Sequence, residues 1–517
     1  MTQGRSRSSQ EAAEGWHLLE DNLLRQVFTA SDPIAKKTGR LVCSSRQRMV
    51  GLTVTAFKTK TSDHFNKAGS VQAGHALIPH IISPQRLLQL LPNVQHLDLR
   101  EGVQTEQFLA SNVLAALTAV TKLHLKLQPS QLQPAVESLR SLPADLCLDL
   151  FPAGCAPVQL TARDLPARLV ELKLSAASIC LQSMHLASTL TTLTALHLSE
   201  TSLCCPCCRP YVPLLATCTN LAVLSLDHAL LSEEVPTYLG MSALTQLTAL
   251  TYNGAHPAAL LMLRAVGSSL SKVSLQLKNA ASFGVTLSQI QHAVSTLDKL
   301  TFLYLDVPMG SWDLAVLCFL PLLETLDIKI SIDDADAMNG AAGRLRALSF
   351  SSRLQNVSID FAQTNKTCVA LFSCQLFAHA LQLQSVQFSS CKATRFVTPS
   401  QQPYASVTDL RLPACLSLNA GGLANTIACF PFVPSLTVGS PHVTAAGLQA
   451  LTSLTRLQNL DVENCALIKA TGLKDFVVTM QHLSVLRLAP PVAKALRKHK
   501  RKARQDLLLD DRICRQM

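Results

Sequence analysis

Cys204, Cys205, Cys207 and Cys208 crowd into five residues around Pro206, the densest group of metal-binding or redox side chains in the chain. A zinc ion needs four ligands in a tetrahedron, usually two separated pairs. Neighbouring cysteines cannot easily all point at one ion, and the only near partner is Cys218. The cluster therefore reads as a connecting loop. His96, His124, His197, His228, His292 and His482 are spaced along the chain rather than gathered as ligands. The acidic pairs Asp333-Asp334 and Asp510-Asp511 lie in polar stretches with nothing beside them to raise a carboxyl pKa. The sequence contains no GxxxxGK[ST], HExxH, GxSxG or GxGxxG. No reaction, metal or cofactor is indicated, and the expectation is a protein that is not an enzyme.

Charge offers a second kind of chemistry. The net charge of +11 suggests a nucleic-acid partner until it is located. Seven of those charges, on Lys494, Arg497, Lys498, Lys500, Arg501, Lys502 and Arg504, fall in one acid-free stretch, leaving +4 for the rest of the chain. The body lacks an obvious footprint for a phosphate backbone, so no nucleic-acid partner is expected. The basic stretch reads either as a solvated helical extension or as a nuclear localisation signal. Seventeen cysteines, an odd number, point to free thiols in a reducing compartment. No apolar run is long enough to span a bilayer, and residues 1–15 are polar with no apolar stretch behind them. A cytoplasmic and/or nuclear location without a membrane partner is expected.

What must position any site is a repeat. An apolar residue, two variable residues, then apolar-x-apolar recurs as VQHLDL, LTALHL, LAVLSL, LTFLYL, LETLDI, LQNLDV and LSVLRL. The first residue of the apolar-x-apolar step falls at Leu97, Leu123, Leu148, Leu172, Leu196, Leu224, Leu250 and Val273. It continues at Leu303, Leu326, Val357, Val386, Leu410, Leu436, Leu460 and Leu486. Leu148, Leu250 and Leu436 are the least regular of these anchors. The mean step of about 26 residues is that of leucine-rich repeats. Each alternating pair predicts a short strand with its leucines in the core. A single unit cannot bury its own apolar face, so units must stack. The fold class expected is α/β: a leucine-rich-repeat solenoid, a horseshoe with a parallel concave sheet. At about 4.8 Å per strand its inner arc would run about 70 Å, which suits a macromolecule better than a metabolite.

Finer detail falls on the same register. Cys391, Cys415 and Cys465 each stand five residues after an anchor, where such repeats close the turn. Gly422 and Gly472 follow their cysteines by seven residues, and Gly447 ends a related unit; the leucine after each should open a return helix and point into the core. These units resemble the cysteine-containing subclass of leucine-rich repeats. They depart from it at the Thr-Asp step, here Asn419-Ala420 and Lys469-Ala470.

Before the repeats, residues 16–58 show helical apolar spacing at Leu23, Leu24, Val27 and Phe28, a break at Asp32-Pro33, and a third apolar segment at Leu41-Val42. This stretch resembles an F-box, with Leu19 ahead of an acidic pair, Leu23-Leu24, Val27-Phe28, Pro33, Leu41-Val42-Cys43 and then Arg48. It departs from the family in having Leu19-Glu20 for the usual Leu-Pro opening and Arg46 for a frequent tryptophan. The resemblance implies a small three-helix F-box-like module that binds a Skp-type adaptor, and through it a cullin, using Leu19, Leu23, Leu24, Val27, Phe28, Pro33, Leu41 and Val42. The chain would then be the substrate-recognition subunit of a cullin-RING ubiquitin ligase. The alternative is an intracellular scaffold whose first segment only caps the repeats; a GTPase regulator has no supporting residues beyond fold analogy.

The expected organisation is a disordered 1–15, the F-box-like module at 16–58, a linker and first cap at 59–90, the solenoid at 91–490 and a basic tail at 491–517. Strand parity puts Tyr304, Asp306, Asp327, Lys329, Ser358 and Asp360 on the concave face, with a net charge of −2. The corresponding residues of the units at Leu123, Leu148, Leu172 and Leu196 sum to +1. Tyr304, Asp306, Asp327, Lys329 and Asp360 are the candidate substrate-binding residues, suited to a basic or aromatic-flanked segment of a protein.

Overall fold

The computed structural model describes residues 56–58, 96–99, 121–127, 146–152, 169–175, 191–199, 215, 218–227, 241–254, 258–277, 287–308, 320–331, 351–362, 369–373, 380–389, 393–397, 404–415, 418–500 and 508–510. They fall in two compact units, Met1–Leu221 and Ala222–Met517. The expected adaptor-binding residues Leu19, Leu23, Leu24, Val27, Phe28, Pro33, Leu41 and Val42 lie outside the described residues, as do Cys204, Cys205, Cys207, Cys208 and Cys391.

In the first unit, β1 (Ala56–Lys58), β2 (His96–Leu99), β3 (Lys122–Leu127), β4 (Leu146–Pro152), β5 (Leu169–Ser175) and β6 (Ala195–Ser199) run parallel, each beside the next. In the second, β7 (Val223–Asp227), β8 (Ala249–Gly254), β9 (Lys272–Leu277), β10 (Phe302–Pro308), β11 (Thr325–Ser331) and β12 (Asn356–Ala362) do the same. That sheet passes over β13 (Val369–Ser373) to β14 (Ser385–Ser389), and over β15 (Ala393–Val397) to β16 (Asp409–Leu412). It continues through β17 (Ser435–Val438), β18 (Asn459–Asp461), β19 (Val485–Arg487) and β20 (Leu508–Asp510). The two bypassed strands pair with each other in a separate parallel ribbon.

Register is the strongest check on the repeat, because a slip of one residue would send every leucine to the wrong face. Within each unit, anchor pairs with anchor at every step. Leu97, Leu123, Leu148, Leu172 and Leu196 form one row. The anchors from Leu224 to Leu486 form the other. Both rows gain a member the motif does not show: Phe57 pairs with Leu97, and Leu509 with Leu486. Strands thus lie beyond the expected limits of 91 and 490, one in each unit. Residues 56–58, placed by sequence in the helical module, are strand. Neither three-residue strand carries the full apolar-x-x-apolar-x-apolar pattern, so periodicity alone does not reveal them.

Each repeat whose side chains are fully described contributes three buried columns. Leu323, Leu326 and Ile328, or Leu300, Leu303 and Leu305, show the pattern: three residues before the anchor, the anchor, and two after. The irregular anchor Leu250 has a local cause. Its second core position is Tyr252, fully buried, and the ring is accommodated because Gly254 lacks a side chain; a Cβ there would meet the tyrosine oxygen at 2.6 Å. The irregular Leu148 adjoins a register shift between Leu146 and Cys147.

A second device, not apparent from the motif, ties the repeats together. In six of the described repeats a serine or threonine two residues before the anchor donates its hydroxyl to the backbone carbonyl at the same position of the preceding repeat. Thr248 donates to Ala222, Ser271 to Thr248 and Thr301 to Ser271, at 3.1–3.2 Å. Thr194, Thr408 and Ser484 do likewise.

Most described return legs are helical: α1 (Ala258–Val266), α2 (Leu287–Val294), α3 (Ala420–Cys429), a 3-10 leg at Gly447–Ser453, α4 (Ala470–Thr479) and α5 (Pro490–Lys500), whereas the legs after β12 and β14 carry the strands β13 and β15. Leu423, Leu448 and Leu473, the residues after the three glycines, are all fully buried. The Thr-Asp departure is compensated in part. Asn419 caps α3 by accepting from the Gly422 N–H at 2.9 Å, and Thr444 accepts from Gly447 at 3.2 Å, whereas Lys469 supplies no side-chain cap to α4. Cys415 and Cys465 donate their thiols to the carbonyls of Phe388 and Val438 on preceding repeats. In the intervening unit Ser440 donates to Leu418 at 2.8 Å. The basic stretch begins on α5, which is a packed leg: Ala493 and Leu496 are buried and Lys494 and Arg497 are exposed.

Gly472 is required by close stacking, since a Cβ there would lie 2.5 Å from the Ala445 Cβ. Gly472→Ala should destabilise the second unit by about 1–3 kcal/mol in denaturant unfolding. Ala445→Gly in the same chain should recover most of that loss, which a simple helix-propensity effect would not allow.

Candidate functional site

The outward face of the second unit's sheet gathers polar side chains into rows, because parallel in-register strands place equivalent residues side by side. All five candidate substrate-binding residues come together on β10–β12, and Ser358 stands among them. Tyr304, Asp327 and Ser358 share one row; Asp306, Lys329 and Asp360 share the next. All are half-buried, while Leu305, Ile328 and Ile359 between them face the core.

The second row extends beyond β10–β12. It runs Asp227, Asn253, Gln276, Asp306, Lys329, Asp360 and Ser389 on seven neighbouring strands. Parity applied to the units at Leu224, Leu250 and Val273 finds Asp227, Asn253 and Gln276; it is the register that shows them to be continuous with the aspartates. Asn253 Nδ2 donates to Asp227 Oδ1 at 2.6 Å, and Gln276 Nε2 to Asp306 Oδ2 at 2.7 Å. Lys329 Nζ reaches the same Asp306 oxygen at 3.4 Å. Two buried oxygens in this row have no hydrogen-bond partner: Asn253 Oδ1 and Asp360 Oδ1.

Electrostatics follow from that packing. Burial, then the Asp306 and Asp327 carboxylates, a hydrogen bond to Asp306 and the Asp360 charge together push the Tyr304 phenol above its ordinary pKa. Burial raises Asp327 as well; the Ser358 hydroxyl, donating to it, pulls the other way, and Asp360 adds like-charge repulsion. Elsewhere on the same face acids have local cations. Arg411 binds Asp409 at 2.7 Å and Arg487 lies 3.8 Å from Asp461. In the first unit Lys173 binds Glu171 at 2.8 Å, with His197 3.6 Å from the same oxygen.

No group of three or more His, Cys, Asp or Glu side chains suited to a metal occurs among the described residues. Cys218, the nearest cysteine to the CCPCC cluster, is buried in the core. Cys465 has its pKa raised to about 11, first by burial and further by the Asp461 charge, against a lowering backbone hydrogen bond from Ser440. A raised thiol pKa favours folding below the unfolded value near 8.5, and that contribution is lost as pH climbs toward 11. Native Cys465 should therefore resist alkylation at neutral pH, and Cys465→Ser should remove part of the alkaline loss of stability in pH-dependent unfolding.

The fold class is plain from these features: stacked leucine-rich repeats with a parallel sheet and a polar outer face. No family model matches the sequence and no curated protein matches it. Among solved structures, a leucine-rich-repeat protein of Leptospira interrogans aligns over 83% of this chain and 98% of its own, at 13% identity and a TM-score of 0.39. A TLR13–ssRNA13 complex aligns over 78% of this chain and 60% of its own, at 15% identity and a TM-score of 0.45. An internalin from Listeria monocytogenes aligns over 77% and 88%, at 15% identity and a TM-score of 0.32. Among the described residues, no helix is long and apolar enough to cross a membrane.

Proposed function

We propose that this chain is a recognition subunit that performs no chemistry of its own. Its repeats hold a target protein on the outward sheet face around β10–β12, through Tyr304, Asp306, Asp327, Lys329 and Asp360. Residues 16–58 engage a Skp-type adaptor and, through it, the cullin of a RING ubiquitin ligase in the cytoplasm and/or nucleus. The observation that carries the target-binding half is the row of half-buried polar side chains that includes an unpaired carboxylate oxygen, Asp360 Oδ1. The adaptor half rests on the F-box resemblance of residues 16–58. The mechanism would be proximity. Holding target and ligase on one chain raises the effective concentration of target lysines near the charged conjugating enzyme.

Mixing the purified full chain with a Skp-type adaptor tests the reading directly. A stable one-to-one complex by size exclusion with light scattering is the expected result. Separate elution at micromolar concentrations would favour a scaffold with no ligase role.

A further inference from the structure

The second outward row is almost closed on itself, and where it is open it asks for hydrogen-bond donors. Asp306, central in the row, is already engaged by Gln276 and Lys329. Its neighbours are not so served. Asp360 Oδ1 is buried without a partner, and Asp327, diagonal to it across β11 and β12, gains repulsion from it. Four strands away in the same row, Asn253 spends its amide N–H on Asp227 and leaves Oδ1 buried and unpaired. An unsatisfied buried acceptor is costly, more so when charged. Both open positions are acceptors, so the missing groups are N–H donors, and at the acidic end a cation. Tyr304, beside Asp327, offers an aromatic face to the same cation.

We infer that this row seats an extended segment of a protein partner running across the strands. One arginine or lysine side chain lies between Asp327 and Asp360, and a second donor lies at Asn253. This rests on the reading of the sheet face as the target-binding surface and narrows it: the recognising pair is Asp327 and Asp360, while Asp306 holds Lys329 and Gln276 in place. Asn253 and Asp360 are four strand spacings apart, about 19 Å, which an extended segment of about six residues spans. Nucleic acid would bring phosphates to a face already rich in carboxylates and is repelled. At the paired acids Asp409 and Asp461, Arg411 and Arg487 already supply the cation, so no such seat exists there.

The test is fluorescence anisotropy with the full chain and a labelled Arg-Ser-Ser-Ser-Ser-Arg peptide, whose arginines are about 17 Å apart when extended. The same peptide with glutamine for arginine is the control. The arginine peptide should bind about tenfold more tightly than the control, and more weakly as salt rises from about 50 to 200 mM. Asp360→Asn and Asp327→Asn should each weaken binding about tenfold, and Asn253→Ser about threefold. Asp409→Asn should change it less than twofold. Both aspartate variants keep side-chain shape, and far-UV circular dichroism should match the parent. Equal binding of the two peptides, or unchanged binding in the Asp327→Asn/Asp360→Asn double variant, overturns the inference. Adaptor binding does not pass through this face. A chain that fails here yet still complexes the adaptor loses this inference and keeps the receptor reading; one that binds the peptide through these residues but never the adaptor loses only the ligase role.

Discussion

Leu326→Ala is expected to destabilise the second unit by about 2–5 kcal/mol, while Asp327→Asn, one residue further along the same strand, leaves it unchanged or slightly more stable. Leu326 is fully buried, paired in register with Leu303 and Val357, and stacked repeats cannot collapse freely around the cavity that truncation leaves. Asp327 faces outward and is held above its ordinary pKa by burial and by Asp360. For that carboxyl the folded state favours the neutral form. Its contribution to stability is therefore present at acid pH and lost as pH rises through the carboxylate range, so at neutral pH the charge works against folding. Asparagine removes the charge and keeps an oxygen for the Ser358 hydroxyl. Denaturant unfolding of the full chain, followed by circular dichroism, separates the two effects. A large loss from Asp327→Asn, or a negligible one from Leu326→Ala, would mean that inward and outward residues have been exchanged.

The second large effect concerns residues 16–58. Leu24→Ala with Phe28→Ala should abolish adaptor binding, because a few buried apolar anchors dominate protein interfaces and truncating two of them removes most of the binding energy. The pair falls at the spacing that puts both side chains on one helical face. No described residue of the second unit belongs to this segment, so its unfolding midpoint should stay where it is in the parent. Loss of adaptor together with a lowered midpoint would instead assign Leu24 and Phe28 to a cap that shields the repeats.

Much of this architecture is legible in the sequence because one physical constraint repeats. Every anchor from Leu97 to Leu486 lies in a strand, since an apolar-x-apolar step after a fixed interval has only the core to enter. The places where reading falls short have particular causes. Phe57 and Leu509 join the anchor rows without the motif's full set of flanking apolar residues: Thr59 stands two after Phe57, and Asp506 and Asp511 flank Leu509. Leu250 looks irregular because its second core position holds Tyr252 rather than an aliphatic residue. The hydroxyl ladder through Thr248, Ser271 and Thr301 is hidden because serine and threonine are equally at home in any exposed turn.

The candidate surface divides in the same way. Parity alone finds Tyr304, Asp306, Asp327, Lys329 and Asp360, because alternation along a strand is local. It cannot show that Asp306 is engaged by Gln276 from the neighbouring strand or that Asp360 keeps an unpaired oxygen, since both depend on which strand lies beside which. Asn253 escapes notice for the same reason: an asparagine on an outward position is unremarkable until it is seen to share a row with the aspartates.

The most direct test of the receptor reading is native affinity purification of the full chain from cells, with adaptor and cullin quantified by mass spectrometry against the Leu24→Ala/Phe28→Ala variant. The account predicts adaptor recovered in near-equal amount with the parent, cullin alongside it, and neither with the variant. Parent chain that brings down other proteins but no adaptor, or a variant that retains adaptor undiminished, would contradict it.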